Sequence, residues 1–244
     1  AKEDLRLAGL PGFLRTFELL SPGRPIAWEF KKREGEDARA GEIVLAGRGD
    51  ARTLLTGERT ALNLLQRLSG IATLTARWSA LLAGTRARLA DTRKTTPGLR
   101  ALEKYAVRVG GGSNHRTGLF DGVLIKENHI RAAGSIIEAV RRARGFASHT
   151  LRIEVEVTNL AELDEALAAG ADAVLLDNMD TAAMREAVQR VEGRALVEAS
   201  GGMNETRLRE VAETGVDLIS AGALTHSARA VDLSLLFDPP ERGR

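Results

Sequence analysis

Arg93, Lys94, His115, Arg116 and Lys126 fall in one stretch of the chain, and three of them stand where a solvated surface would not put them. Arg93 and Lys94 follow the apolar run around Leu89, and Lys126 follows Val123-Leu124-Ile125, so each lies just past an expected strand. In a parallel α/β fold the carboxyl ends of the strands open into a shared crevice, and that is where ligands bind. Arginine offers a planar fork that grips carboxylates and phosphates through paired hydrogen bonds, and lysine a compact charge. From Arg86 to Ile130 nine Lys or Arg face four Asp or Glu, whereas the remaining residues hold 26 basic and 29 acidic ones. The positive charge is local. Pairing with Glu103, Asp121 or Glu127 would account for one of these cations but not for five, so the stretch reads as a pocket for an anion.

Two further sets accompany it. In Ile153-Glu154-Val155-Glu156-Val157 the side chains of a strand alternate, putting Glu154 and Glu156 on one face, and Asp177 ends the apolar run Val174-Leu175-Leu176. Unpaired carboxylates are costly to bury in a barrel strand, so these must meet cations, either in an ion-pair network with Lys126 or Arg93 or around a charged ligand. Glu156 is nearer the strand end, and Glu154 is expected to pair lower down in a structural role. Ser200-Gly201-Gly202 and Ala221-Gly222-Ala223 each follow a late apolar run and precede a helical stretch. Either alone is an ordinary turn, but two such loops suit a phosphate cradled by backbone N–H groups at helix starts. Gly110-Gly111-Gly112 has no GK[ST] after it and is expected to give flexibility around His115.

The elements that position these residues follow from periodicity. Apolar runs centred near Leu89, Leu124, Ile153, Leu175, Leu196 and Ile219 predict strands, each followed by a helical stretch such as NLAELDEALAAG. Asn159 with Glu162 reads as a capping-box start, and Gly170 and Gly215 as helix stops. With Val107–Val109 as a possible extra strand, the pattern gives six or seven strands of an α/β barrel over 85–236. Residues 1–60 alternate short apolar runs with Gly and Pro and predict a small sandwich-like α+β domain, which the abrupt start without Met suggests is incomplete. Apolar residues spaced by three and four between Leu54 and Trp78 predict amphipathic helix, with Gly70 interrupting it and 61–84 joining the two domains. Residues 237–244 are a tail.

Composition excludes much else. There is no cysteine, hence no disulfide, thiolate nucleophile or cysteine-bound zinc. A net charge of +2 and nine aromatics argue against nucleic acid. No apolar run approaches the roughly 18 residues of a membrane span. The chain is expected to be soluble and cytoplasmic.

DTRKTTPGLR, then GGGSNHRTGLFDGVLIKENHI, then IEVEV, LLDNM and EASGG resemble, in that order, the quinolinate phosphoribosyltransferase family, the carboxylating nicotinate-nucleotide pyrophosphorylases. The likeness runs from about Ile26 to Leu236, and it implies an incomplete, about seven-stranded α/β barrel. It also implies transfer of phosphoribosyl from phosphoribosyl pyrophosphate to quinolinate, giving nicotinate mononucleotide, pyrophosphate and CO2. The absence of an adjacent Asp-Asp pair argues against the other phosphoribosyltransferase type. By resemblance the basic set holds quinolinate's carboxylates and the phosphates, with Lys126, Glu156 and Asp177 catalytic. Glu156 and Asp177 face the ribose and Mg2+, which they meet through the substrate. Arg59, in Glu58-Arg59-Thr60, would enter the site of a partner subunit, making a homodimer with shared sites that can build to a hexamer, and His226 would assist at that edge. Two rivals remain: an enzyme acting on another pyridine or azole acid without decarboxylation, and a silent, molybdate-linked anion-binding paralogue. Arg59, Arg93 and Lys94 favour the dicarboxylate over the first, and Lys126, Glu156 and Asp177 weigh against the second.

Overall fold

A computed structural model describes residues 1–238, in two units, Ala1–Leu74 with the segment from Ala228 on, and Thr75–Ser227. The end of the expected tail, from residue 239, lies outside the described residues. No helix among the described residues is long and apolar enough to cross a membrane.

The first unit pairs short strands antiparallel, β1 (Leu5–Arg6) with β3 (Asp37–Ala38) and β2 (Ala27–Phe30) with β4 (Leu45–Arg48). Helix α1 (Leu10–Leu20) buries Leu10, Phe13 and Phe17, and the Phe13, Phe17 and Trp28 rings meet at 5.1–5.5 Å. Helix α2 (Ala51–Leu81) is unbroken, against the expected interruption at Gly70. The glycine answers to packing instead, since a Cβ there would lie 2.0 Å from the Arg229 carbonyl oxygen. The segment from Ala228, expected in the barrel, belongs to this unit because Val231 and Leu233 are buried in its core and Gln66 donates to the Leu233 carbonyl at 2.8 Å.

The second unit repeats strand and helix: β5 (Arg88–Ala90), α3 (Arg100–Val109), β6 (Val123–Ile125), α4 (Glu127–Ala133), α5 (Ile136–Phe146), β7 (Ile153–Val157), α6 (Leu160–Ala168), β8 (Ala173–Asp177), α7 (Thr181–Val191), β9 (Leu196–Ser200), α8 (Glu205–Ala212), β10 (Leu218–Ser220) and α9 (Ala223–His226). All six strands run parallel in the order β5-β10-β9-β8-β7-β6. They are the six apolar runs of the sequence. A seventh strand is reduced to one parallel bridge between Ser113 and Ala90. It is not at Val107–Val109, which end α3 because Ala106 and Val107 sit on that helix's buried face. Among the described residues no pairing joins β6 to Ser113, so the sheet does not close.

Local chemistry fixes the alternation. Helices α5 to α8 each open on a side-chain cap, Ser135, Asn159, Asp180 and Asn204, each worth about 0.5–2 kcal/mol. Gly170 and Gly215 take left-handed φ of 79° and 92° after α6 and α8, a region other L-residues avoid. Ile153, Val155 and Val157 are fully buried, leaving Glu154 and Glu156 on the opposite face of β7.

Gly70→Ala is expected to destabilise the first unit by about 1–3 kcal/mol or more, because the added methyl meets backbone that cannot rotate away. Thermal unfolding followed by circular dichroism checks this, against a conservative Ser227→Ala control.

Candidate active site

Arg93 and Lys94 follow β5, and Lys126 follows β6, the two edge strands of the sheet. Asp91, directly after β5, is fully buried and accepts hydrogen bonds from the Lys104 ammonium, the Asn114 amide and the His115 backbone N–H at 2.9 Å. Lys104 also donates to the His115 carbonyl at 2.8 Å. Burial pushes the Asp91 carboxyl up from its ordinary value, opposed first by Lys104 and then by Asn114 and His115. Removing either charge of such a pair strands the other and costs about 3–5 kcal/mol. The clamp therefore pins the segment that presents Arg116 against the loop that carries Arg93.

Among the described residues, neither the buried Nε of Arg93 nor that of Arg116 has a hydrogen-bond partner. Burial holds the Arg116 guanidinium below its ordinary value, and the positive charge of Arg93 adds to that effect. Two guanidinium groups within reach of each other's field, each with an unused donor, are chemically suited to an anion. Lys126 caps the end of β6, its ammonium is paired with Glu156, and its N–H donates to His129 Nδ1 at 2.9 Å. His129, unassigned from sequence, thus serves the start of α4.

Late strands supply the opposite side. Register sets Asp177 beside Ser200, and Asn178, at a left-handed φ of 56°, donates from its side chain to Asp177 at 2.9 Å. Gly201 has φ +90°, and a Cβ there would stand 2.2 Å from the Asn178 amide oxygen, so a side chain is excluded twice over. A Cβ on Gly222 would lie 2.9 Å from His226 Nε2 and 3.1 Å from Lys94 Cδ. Thr225 Oγ1 donates to the Lys94 carbonyl at 2.8 Å. The Ala221-Gly222 turn and the Arg93-Lys94 loop are therefore neighbours, as strands β10 and β5 require. Gly110–Gly112 do not loosen His115: Gly111 turns the chain at φ +89°, and Gly112 packs where a Cβ would meet Thr75 and Val107 at 2.8 Å.

Glu154 meets neither Lys126 nor Arg93. Its carboxylate lies 3.1 Å from His115 Nε2, with Glu198 of β9 at 3.7 Å from the same nitrogen. Burial and the Glu154 charge push Glu198 up to about 7, so it carries the proton through mildly acidic pH. One ligand atom from each of His115, Glu154 and Glu198 falls within 4.8 Å of the others, a spacing that a cation could use. On the other side of the ring, His115 Nδ1 accepts the Arg116 backbone N–H at 2.7 Å. Both ring nitrogens are thus engaged by protein groups.

Arg59 is not in this cluster. It lies on α2 in the first unit, exposed and without an ion pair among the described residues. Asp91, Lys104, Asn114 and Glu198 were not singled out from sequence. The available signal was weak: an acid directly after an apolar strand for Asp91, and a lone Glu within Leu196-Val197-Glu198-Ala199 for Glu198.

Residues 1–69 and 71–236 match the families described as the N-terminal and C-terminal domains of quinolinate phosphoribosyl transferase. The chain is 48% identical over 235 residues to the probable nicotinate-nucleotide pyrophosphorylase [carboxylating] of Bacillus subtilis, covering 96% of this chain and 81% of that one. It is 48% identical over 209 residues to the nicotinate-nucleotide pyrophosphorylase [carboxylating] of Mycobacterium leprae, covering 84% and 73%. Among solved structures it is similar to NadC from Streptococcus pyogenes, with TM-score 0.91, 44% identity and 95% and 81% coverage. It is also similar to the nicotinate-nucleotide pyrophosphorylase of Francisella tularensis, with TM-score 0.92, 42% identity and 96% and 82% coverage.

Glu198 gives a pH signature. With a folded pKa of about 7 against about 4.3 in an unfolded chain, the unfolded state loses the proton first as pH rises. Stability from this group is full below the unfolded value and is lost progressively up to the folded one. Glu198→Gln cannot titrate. Its melting temperature relative to wild type is expected to rise between pH 4.5 and pH 8, measured by scanning calorimetry at both.

Proposed function

The chain belongs to the quinolinate phosphoribosyltransferase family, and from that premise we propose that it transfers the phosphoribosyl group of phosphoribosyl pyrophosphate to quinolinate with loss of CO2. The products are nicotinate mononucleotide and pyrophosphate, a step of NAD biosynthesis. The observation that carries the reading is the pair of unpartnered, buried Nε atoms of Arg93 and Arg116 beside Lys94, which suits a ligand with two adjacent carboxylates.

The residue roles follow the two sides of the site. Arg93, Lys94 and Arg116 take the pyridine carboxylates, with His115 behind Arg116. Ser200, Gly201, Gly202 and Gly222 offer backbone N–H groups to phosphate; the Ala221 N–H already donates to the Ala90 carbonyl at 3.0 Å, so Ala221 shapes the turn that presents Gly222, with His226 beside it. Glu156 and Asp177, at the ends of β7 and β8, face the ribose, whose carbon gains positive charge as pyrophosphate departs. Oxygen-only donors of this kind suit Mg2+, which would be met through the substrate and supplies neutralising charge to the pyrophosphate. Lys126, paired with Glu156, holds that carboxylate and contributes a cation to the leaving-group side. No covalent nucleophile is needed. After transfer, CO2 leaves from the carbon next to the now cationic ring nitrogen, whose charge stabilises the electron pair left on that carbon until a proton from solvent takes the place of the carboxylate, so the protein's task is to orient two anions and limit the access of water.

The enzyme is cytoplasmic and works as a homodimer in which Arg59 of each subunit completes the other's site, a reading supported by its exposed side chain on α2, which has no ion pair among the described residues.

Incubation with quinolinate, phosphoribosyl pyrophosphate and Mg2+ is expected to yield nicotinate mononucleotide by mass spectrometry. Arg93→Ala is expected to lower kcat/KM for quinolinate by about a hundredfold or more with little change in melting temperature. Wild-type turnover by that variant would remove Arg93 from the site.

Mixing Arg59→Ala with Arg93→Ala subunits tests the sharing. Each parent should be nearly inactive, while heterodimers hold one site with both arginines, so random pairing should restore about a quarter of wild-type activity. An inactive mixture, with subunit exchange proven by native mass spectrometry, would return Arg59 to its own chain.

A further inference from the structure

We propose that Glu154 and Glu198 are positioning residues that aim Arg116 through His115. Glu154 accepts the His115 Nε2–H, which leaves Nδ1 free to accept the Arg116 backbone N–H, and Glu198 donates to Glu154 from behind. This rests on the assignment of Arg116 to the substrate carboxylate.

The geometry runs in one line. The Arg116 N–H reaches His115 Nδ1 at 2.7 Å, and His115 Nε2 lies 3.1 Å from Glu154 and 3.7 Å from Glu198. An imidazole that accepts at Nδ1 must carry its proton on Nε2, and Glu154 is the acceptor within reach. A carboxylate behind an imidazole N–H orients the ring and makes its far nitrogen a better acceptor. Glu198 is 2% exposed; its Oε1 has no hydrogen-bond partner among the described residues, while its carboxyl group is hydrogen-bonded to Ser220 and Glu154. Two carboxylates this close cannot both be charged cheaply, and a protonated Glu198 donating to Glu154 leaves Glu154 as the single anion.

The charges around the imidazole divide. Burial opposes a positive ring, Glu154 and Glu198 favour one and leave the His115 pKa above its ordinary value, and Lys104 works against it. The Arg116 N–H decides the outcome, because a second ring proton on Nδ1 would confront a donor already aimed there. The added basicity strengthens the hydrogen bond to Arg116 instead.

The consequence is a fully specified turn. His115 N–H goes to Asp91, its carbonyl accepts from Lys104, and the next N–H is taken by its own ring. The backbone from which the Arg116 guanidinium projects is thus fixed on three sides, and that guanidinium is held at one end by Nη1 donating to the Gly122 carbonyl at 3.1 Å. His115 does not itself have a nitrogen to spare for the substrate.

Nitrogen-15 NMR of the histidine-labelled full chain, with the His115 signals assigned by their absence from a His115→Gln variant, reads the tautomer without reference to activity. The expected spectrum at pH 7 is a neutral ring with the proton on Nε2; a proton on Nδ1, or an imidazolium, overturns the proposal. Glu154→Ala is expected to raise KM for quinolinate about tenfold while kcat stays within about threefold. Glu198→Gln, which keeps a donor, should recover most of what Glu198→Leu loses. An unchanged KM in a folded Glu154→Ala enzyme overturns the positioning role. Should that variant fail to fold, the wild-type tautomer and the Gln-versus-Leu contrast at Glu198 still decide. Stoichiometric Mn2+ or Zn2+ binding that Glu198→Gln abolishes would make the cluster a metal site and sink the relay. If wild type makes no nicotinate mononucleotide, the assigned reaction fails, while the tautomer still reports on the linkage.

Discussion

The Asp91 carboxylate is the point on which the rim of the second unit depends. It is buried directly after β5, where a lone charge would be untenable, and its three partners come from α3, from the Asn114 side chain and from the His115 backbone. A buried ion pair is seldom a net gain over a hydrophobic pair, but breaking it is costly. Its value here is geometric. The pair ties a helix, a strand end and a loop into one relation, and the cations Arg93 and Arg116 are presented from the two sides of that tie.

Around this point like charges are brought together on purpose. Arg116 is partly desolvated in the field of Arg93, and Glu198 in the field of Glu154. Each pair alone destabilises the fold. With Glu198 protonated, Glu154 remains the single anion of the acidic pair, and His115 links it to the backbone of Arg116. Such a site gains most when an anion arrives, which is how electrostatic strain at a binding site becomes affinity and orientation.

The glycines of the late strands serve the same end by steric means. Gly201 and Gly222 stand where a Cβ would strike Asn178 in one case and His226 and Lys94 in the other. The absence of a side chain brings backbone close to the strand ends. The phosphate side of the proposed site is therefore built from main chain, and the carboxylate side from guanidinium groups and ammonium.

The sequence by itself determined the six parallel strands, because each apolar run is long enough to be buried and is bounded by a cap or a glycine. It also placed Arg93, Lys94 and Lys126 just past strand ends, whereas the place of Arg116 beside Arg93 came from the Asp91 clamp and the Ser113 bridge. Only the tertiary structure decided the partners. Glu154 and Glu156 are identical in type and two residues apart, yet one meets His115 and the other Lys126, because depth along the strand and not residue type selects the neighbour. Gly70 reads as a helix breaker, yet it lies inside the unbroken α2, since what demands it is the Arg229 carbonyl from 159 positions further along. Val107 has strand propensity, yet it packs on a helix because α3 needs an apolar face there. Glu198 looked like one acid among many; its proton is set by burial and by Glu154, and neither is visible until the chain has folded.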